Sequence, residues 1–286
     1  MSKANNYDCE ADEFKQVIMT QGLVNYSVFE ACPEVMAFST MRQGGCSTGN
    51  YASLNCTPYT GDNPEAVQSN QALLCTALSI RPEQLIIPFQ THGTARLLVD
   101  EAFLQSTAPE RTARLQGVDA LITSQPNVCL CISTADCIPV VLYDRRHHIA
   151  AAIHAGWRGT VNCILRQTLE DMHRLFATEG NDVLVAIGPG ISLAAFEVGD
   201  EVYEAFRAAH FPMDYIAQWH PETHKWHLDL PAANALQLLD FGVPQQQLQL
   251  SHFCTYTRHE EFFSARRLGI RSGRILTGIM IKETKH

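Results

Sequence analysis

The sequence predicts an α+β or mixed α/β sandwich rather than a doubly wound parallel sheet. Three observations predict it. Strand-like runs outnumber helical ones. Several strands follow one another through turns too short for a crossover, so they pair antiparallel. No Gly-x-Gly-x-x-Gly follows a first strand, and no P-loop sequence is present.

Each element has a local reason. Residues 36–40 form a short apolar strand, followed by a Gly- and Ser-rich loop over 42–49. Residues 63–77 read as a helix with Asn63 as N-cap, Pro64 in its first turn, and Ala66, Leu73, Leu74 and Ala77 at helical spacing. Residues 84–89 and 97–99 are strand-like. Residues 120–123 and 128–133 are expected to form a hairpin around Gln125-Pro126-Asn127. A second hairpin joins 139–144 to 149–154 through the polar turn 145–148. A long amphipathic helix is expected over 160–176. Residues 182–187 form a strand running into Gly188-Pro189-Gly190, 200–209 and 230–241 are helical, and 248–253 and 275–281 close as strands.

Composition bounds the rest. At roughly 150 residues per domain, 286 residues allow one large domain or two ordinary ones. With 46% hydrophobic and 18% charged residues the chain is an ordinary globular one. No repeat, low-complexity tract or linker divides it, and the polar residues 1–15 are expected to be a flexible N-terminus ahead of one domain over 16–286. The net charge of −9 argues against nucleic-acid and anionic-membrane binding, which need basic surface, but not against a small anion met by local arginines. The acidic start is no signal peptide and no apolar run approaches 18 residues, so a cytoplasmic protein is expected. Ten cysteines in such a chain are expected to stay reduced, and Cys75, Cys129, Cys131 and Cys163 read as small core residues.

Three residues stand at the ends of strand-like runs beside small residues: His92, Cys137 and His154. Two imidazoles and a thiolate are competent zinc ligands, and three protein ligands leave one position open, as in catalytic zinc sites. Taken singly, a histidine at a strand end is usually a satisfied surface or core residue, and a lone cysteine is usually packing. The same residues also suit a metal-free reading, with Cys137 as nucleophile and His92 or His154 as its base. His220, His224 and His227 cluster near Pro221, in a segment expected to be a loop. The several His-x-His pairs and the His-Cys-His segment of a multicopper oxidase are absent. Arg42, before Gly44-Gly45, suits a phosphate or carboxylate. Arg158 opens the long helix, and Arg266, Arg267, Arg271 and Arg274 read as a solvated basic face.

Gln90-Thr91-His92-Gly93, Asp136-Cys137-Ile138-Pro139, His154-Ala155-Gly156-Trp157-Arg158-Gly159 and Ile187-Gly188-Pro189, in this order, resemble the YfiH or laccase-domain family. Arg42-Gln43-Gly44-Gly45, Gly117-Val118-Asp119-Ala120 and Phe263-Ser264-Ala265-Arg266-Arg267 match as well, so the resemblance runs from about residue 37 to about 281. It implies an α+β single domain, a mixed β-sandwich flanked by helices, with one zinc on His92, Cys137 and His154; copper is the secondary candidate. It implies phosphorolysis of adenosine, inosine and methylthioadenosine, together with adenosine deamination, so a nucleoside and phosphate are the expected partners. The chain is expected to be a monomer or homodimer. An amide hydrolase acting on peptidoglycan precursors is the alternative; a polyphenol oxidase or a non-catalytic metal-binding protein ranks below it. Arg42 and Arg158 are the candidates for substrate or phosphate, and Asp136 and Asp119 for proton carrier or orienter of a ligand histidine. Two departures, Gly190 where the family usually has Cys and Ala265 where it usually has Tyr, bear on substrate preference rather than on the ligands.

Overall fold

The computed structural model describes residues 22–283, so the expectation for residues 1–15 lies outside the described residues. Five strands form one sheet: β1 (Leu23–Asn25), β2 (Val35–Thr40), β3 (Leu85–Ile86), β6 (Cys129–Thr134) and β14 (Ile275–Ile281), in the spatial order β1-β2-β14-β6-β3. Six form a second: β4 (Arg96–Leu98), β5 (Ala120–Thr123), β7 (Ile138–Asp144), β8 (Ile149–Ala155), β9 (Val183–Ile187) and β13 (Leu248–Leu250), in the order β13-β9-β7-β8-β5-β4. A small sheet of β10 (Glu197–Val198), β11 (Ala217–His220) and β12 (Lys225–Leu228) is ordered β10-β12-β11. Pairing is antiparallel except for β3–β6, β4–β5 and β9–β13.

The two large sheets pack face to face, and helices cover their outer faces. Alternation along the strands shows the layering. Val141 and Tyr143 of β7, Ala150 and Ala152 of β8, and Leu184 and Ala186 of β9 meet Leu130, Ile132 and Ile279 of the five-stranded sheet. The intervening Val140, Leu142, Ile153 and Val185 pack on Ile164, Leu165 and Leu169 of the Ile164–Phe176 helix. These strands are buried on both faces, which is why they read as continuous apolar runs. The outer face of the five-stranded sheet buries Phe38, Cys129, Cys131 and Leu276 against Leu74 and Ala77 of the Pro64–Leu78 helix. That helix starts as its sequence predicts: the Asn63 side chain accepts from Glu65 N, and Pro64 stands in the first turn. Among the described residues no helix is long and apolar enough to cross a membrane.

Four expectations need correction. The segments 120–123 and 128–133 do not form a hairpin. β5 pairs with β8 and β4, β6 pairs with β14 and β3, and the turn at 125–127 carries the chain from one sheet to the other. A two-sided apolar strand satisfies either placement, so local pattern cannot distinguish them. The helix expected over 160–176 is two helices, Trp157–Val161 and Ile164–Phe176, broken where Cys163 takes a left-handed φ of 57°. The first turn is held elsewhere: a Cβ on Gly159 would lie 3.1 Å from the Gly93 carbonyl, so this helix rests on the His92 loop. The strand expected over 84–89 is only Leu85–Ile86, since its C-terminal half turns into the site. Of the histidine cluster expected in a loop, His220 and His227 lie on β11 and β12 with their rings stacked 3.9 Å apart, and only His224 shares the turn between the strands with Pro221.

The β7–β8 hairpin does form, with Pro139 opposite His154 and Asp144 opposite Ile149. Its turn is closed by the buried Asp144 carboxylate, which accepts from Arg146 N (2.9 Å) and His147 N (3.0 Å). Leu142 is fully buried on this hairpin. Leu142→Ala is expected to cost about 2–5 kcal/mol in urea unfolding, the range for truncating a buried Leu, and a loss under ~1 kcal/mol would contradict this core assignment.

Candidate metal centre

The ends of β7 and β8 and the loop after β3 converge at one rim of the sandwich. His154 is the penultimate residue of β8 and shares its side of the strand with Ala150 and Ala152, the side facing the other sheet. Cys137 immediately precedes β7, on the same parity as Val141 and Tyr143. His92 lies in the loop between β3 and β4, with a left-handed φ of 63°. One ligand atom from each of these residues lies within 4.8 Å of the other two. His154 is 2% exposed, Cys137 is half-buried and His92 is exposed, so the group opens toward solvent on the His92 side.

Asp119 organises this group. Its carboxylate is fully buried at the start of β5 and accepts from Thr91 N (3.3 Å), His92 N (3.0 Å) and Gly93 N (2.7 Å). Three successive N–H groups on one anion form a nest, which holds the left-handed turn at His92. The same carboxylate meets His154 Nδ1 at 2.7 Å. With Nδ1 donating to Asp119, Nε2 is the atom His154 offers to an ion. Burial alone would raise the Asp119 pKa, but His154 and the loop N–H groups pull it below the usual carboxylate range.

Electrostatics agree with a ligand set. Burial opposes ionisation of Cys137, yet His154 and then His92 pull its thiol down to about 6. Burial would lower His154, but Cys137 and Asp119 raise it to about 9. Near neutral pH the pair is therefore a thiolate and an imidazolium sharing one proton. A cation at this point takes that proton's place, so its uptake releases a proton. The space is also shaped for one. A Cβ on Gly156 would stand 3.1 Å from both Cys137 Sγ and His92 Cδ2. Two imidazoles, a thiolate, an orienting carboxylate and a glycine-made gap fit a borderline-soft divalent ion with an open position. Among the described residues this is the one such group.

The other residues singled out in the sequence lie elsewhere. Asp136, with φ 85°, accepts from Thr255 Oγ1 (2.7 Å) and from Arg266 N at 2.6 Å. It thus ties the Cys137 loop to the Ala265–Leu268 helix. Arg42 directs Nε and Nη1 to the carbonyls of Ala52 and His259, both at 2.6 Å, and its guanidinium stands 5.5 Å from the Phe263 ring. Arg158 is exposed, with its guanidinium 4.3 Å over the Trp157 ring. Neither lines the cavity in which the ligands stand. That cavity, of about 510 Å³, is walled instead by Arg271, Arg274, Tyr59, Phe89 and Ala265. The half-buried Arg274 thus corrects the expectation of a solvated face, whereas Arg266, Arg267 and Arg271 are exposed as expected, Arg271 beside the cavity. The Arg-x-x-Arg spacing after a glycine was visible, but no local pattern says which way such side chains turn. The two departures from the family pattern also find their places. Ala265 is part of the cavity wall, whereas a Cβ on Gly190 would lie 2.4 Å from Ile138 Cδ1, beneath the Cys137 loop.

Two substitutions test this centre. Asp119→Asn is expected to weaken metal affinity about 10–100-fold, the usual cost of removing an orienting partner, in competition against a chelator. An unchanged affinity would show that the carboxylate does not set the His154 donor. Gly156→Ala is expected to lower metal content while leaving the far-UV circular dichroism unchanged; full metal loading in that variant would refute the gap as the ion's space.

Comparison with known proteins agrees with this architecture. The family model described as multi-copper polyphenol oxidoreductase laccase matches residues 36–282. A purine nucleoside phosphorylase of Bacteroides thetaiotaomicron is 56% identical over 91% of this chain and 96% of its own. Adenosine deaminase RL5, from an unknown prokaryotic organism, is 42% identical over 87% of this chain and 94% of its own. The crystal structure of YlmD from Geobacillus stearothermophilus superposes with a TM-score of 0.84 at 30% identity, covering 92% of this chain and 97% of that one. With a matching model over most of its length and a fold shared with YlmD, the chain belongs to the laccase-domain family, described as multi-copper polyphenol oxidoreductase laccase.

Proposed function

We propose that this chain is a zinc-dependent enzyme of purine nucleosides. It splits adenosine, inosine and methylthioadenosine with phosphate, and it deaminates adenosine. The observation that carries this reading is a His–Cys–His ligand group on the wall of a nucleoside-sized cavity that also exposes two aromatic rings. Tyr59 and Phe89 are 40% and 39% exposed and stand edge to face with centroids 5.2 Å apart. An exposed aromatic face takes a purine by stacking, worth about 1–3 kcal/mol per base. The names of the relatives, purine nucleoside phosphorylase and adenosine deaminase, support the same substrate class.

When bound, a zinc ion supplies a Lewis acid and a water whose pKa is brought toward neutrality. The chain's own residues position it. Asp119 keeps the Nδ1 proton of His154 and fixes the loop bearing His92, so both imidazoles are oriented before substrate arrives. In phosphorolysis a phosphate oxygen bonds to C1′ as the C1′–N9 bond breaks; the electron pair leaves on the purine, which takes up a proton. In deamination water adds at C6 and ammonia leaves.

One observation favours a second reading. Cys137, His154 and Asp119 stand in the order of nucleophile, base and orienting carboxylate, the arrangement of a cysteine amide hydrolase. Metal analysis separates the two. Near one zinc per wild-type chain is expected, lost in Cys137→Ala, with phosphate-dependent release of adenine from adenosine and phosphate-independent formation of inosine. Metal-free wild-type protein that releases ammonia or amine from amides, and is trapped by a thiol reagent at Cys137, would replace the nucleoside reading with the hydrolase.

A further inference from the structure

The cavity beside the ligand group carries an unneutralised positive wall. Arg274 is half-buried, and its guanidinium is fixed by neutral acceptors: Nη1 donates to Ser272 O (2.7 Å), Gly273 O (3.0 Å) and Ser272 Oγ (3.4 Å), and Nη2 to Ile270 O (3.0 Å). Its backbone N–H donates to Asn55 Oδ1 at 3.1 Å. Among the described residues, none of the ion pairs includes Arg274 or Arg271. The negative groups acting on Arg274 are first Cys137 and then Asp136. Both are already committed, Cys137 to the ligand group and Asp136 to Thr255 and Arg266 N. A partly buried guanidinium without its own anion is costly, and a cation at the ligand group adds to the excess positive charge.

A second observation lies in the same wall. Thr57 Oγ1, Ser133 Oγ and Thr134 Oγ1 are buried without a hydrogen-bond partner, and all three residues line this cavity. Thr57 and Thr134 are only 2% and 1% exposed. Such orphaned hydroxyls are rare in folded proteins and cost about 1–3 kcal/mol each. Two arginines and three donor hydroxyls around one space match the acceptor oxygens of a phosphoryl dianion. Arg42, the phosphate candidate in the sequence, instead spends two of its N–H groups on carbonyls outside this cavity.

We propose that Arg271 and Arg274, with Thr57, Ser133 and Thr134, form the binding subsite for inorganic phosphate, the co-substrate of the cleavage reaction. The inference rests on the nucleoside reading for the phosphate's role, though the subsite itself is a separate claim. A dianion there sits in the cavity that holds the ligand group and the aromatic pair, where its oxygen can reach C1′ of a stacked nucleoside.

The test is isothermal titration of the metal-loaded protein with inorganic phosphate alone. Arg271→Gln and Arg274→Gln are each expected to weaken phosphate binding at least about tenfold, the worth of one charge-assisted hydrogen bond. The surface variant Arg81→Gln, at an exposed arginine outside this cavity, serves as control and binds phosphate as wild type does. Arg271 is exposed, so its variant carries the test even if Arg274→Gln fails to fold. Wild-type phosphate affinity in a folded Arg271→Gln and Thr134→Val pair, or loss of affinity in Arg42→Gln instead, would overturn the assignment. A parallel titration with adenosine 5′-monophosphate identifies the source of the phosphate. If the variants lose that ligand and keep inorganic phosphate, the subsite belongs to a substrate's own ester and the proposal fails. Phosphate bound at this wall by a protein that does not cleave nucleosides would leave the subsite standing and remove the nucleoside reading.

Discussion

The buried carboxylate of Asp119 is the interaction on which the site depends. A fully buried anion survives only if its lone pairs are filled, and here three backbone N–H groups and an imidazole fill them. The same bonds that make Asp119 tolerable join two parts of the chain far apart in sequence, the loop at 91–93 and the end of β8. They also settle the chemistry of His154 by deciding which ring nitrogen is free. The cost of burying one charge is thus offset by bonds that build the centre.

The sandwich makes that placement possible. β7, β8 and β9 are buried on both faces, so their register is dictated by two cores at once. The pairing of Pro139 with His154 brings Cys137, two residues earlier, to the same rim. A shift of one residue would turn His154 toward the helices and Ala155 toward the site. The packing that stabilises the fold is therefore also what keeps the ligands in register.

Net charge and local charge diverge in this molecule. The chain is acidic overall, at −9, yet the cavity beside the ligand group is walled by two arginines outside any ion pair among the described residues. Net charge acts over distances at which salt screens it, whereas the field inside a cavity is set chiefly by the groups within a few ångströms. The same wall holds Ala265, so the shape of the cavity beside Arg271 and Arg274 is set partly by a missing side chain.

Most elements were legible in the sequence because their causes are local. Asn63 and Pro64 mark a helix start, the 275–281 run is a strand, and the polar turn 145–148 closes a hairpin. His92, Cys137 and His154 were legible as candidates, through their places at strand ends and through the motifs shared with the family. What only the tertiary structure decided is which distant segments meet. It assigned β5 and β6 to different sheets, broke the helix expected over 160–176 at Cys163, and drew Arg42 away from the cavity onto backbone carbonyls. It also set the half-buried Arg274 and the exposed Arg271 along the wall of that cavity. The physical reason is the same in each case: a two-sided apolar strand or a long cationic side chain has several local solutions of similar energy. Burial against a segment distant in sequence, or the satisfaction of a carbonyl found only in the folded chain, selects among them.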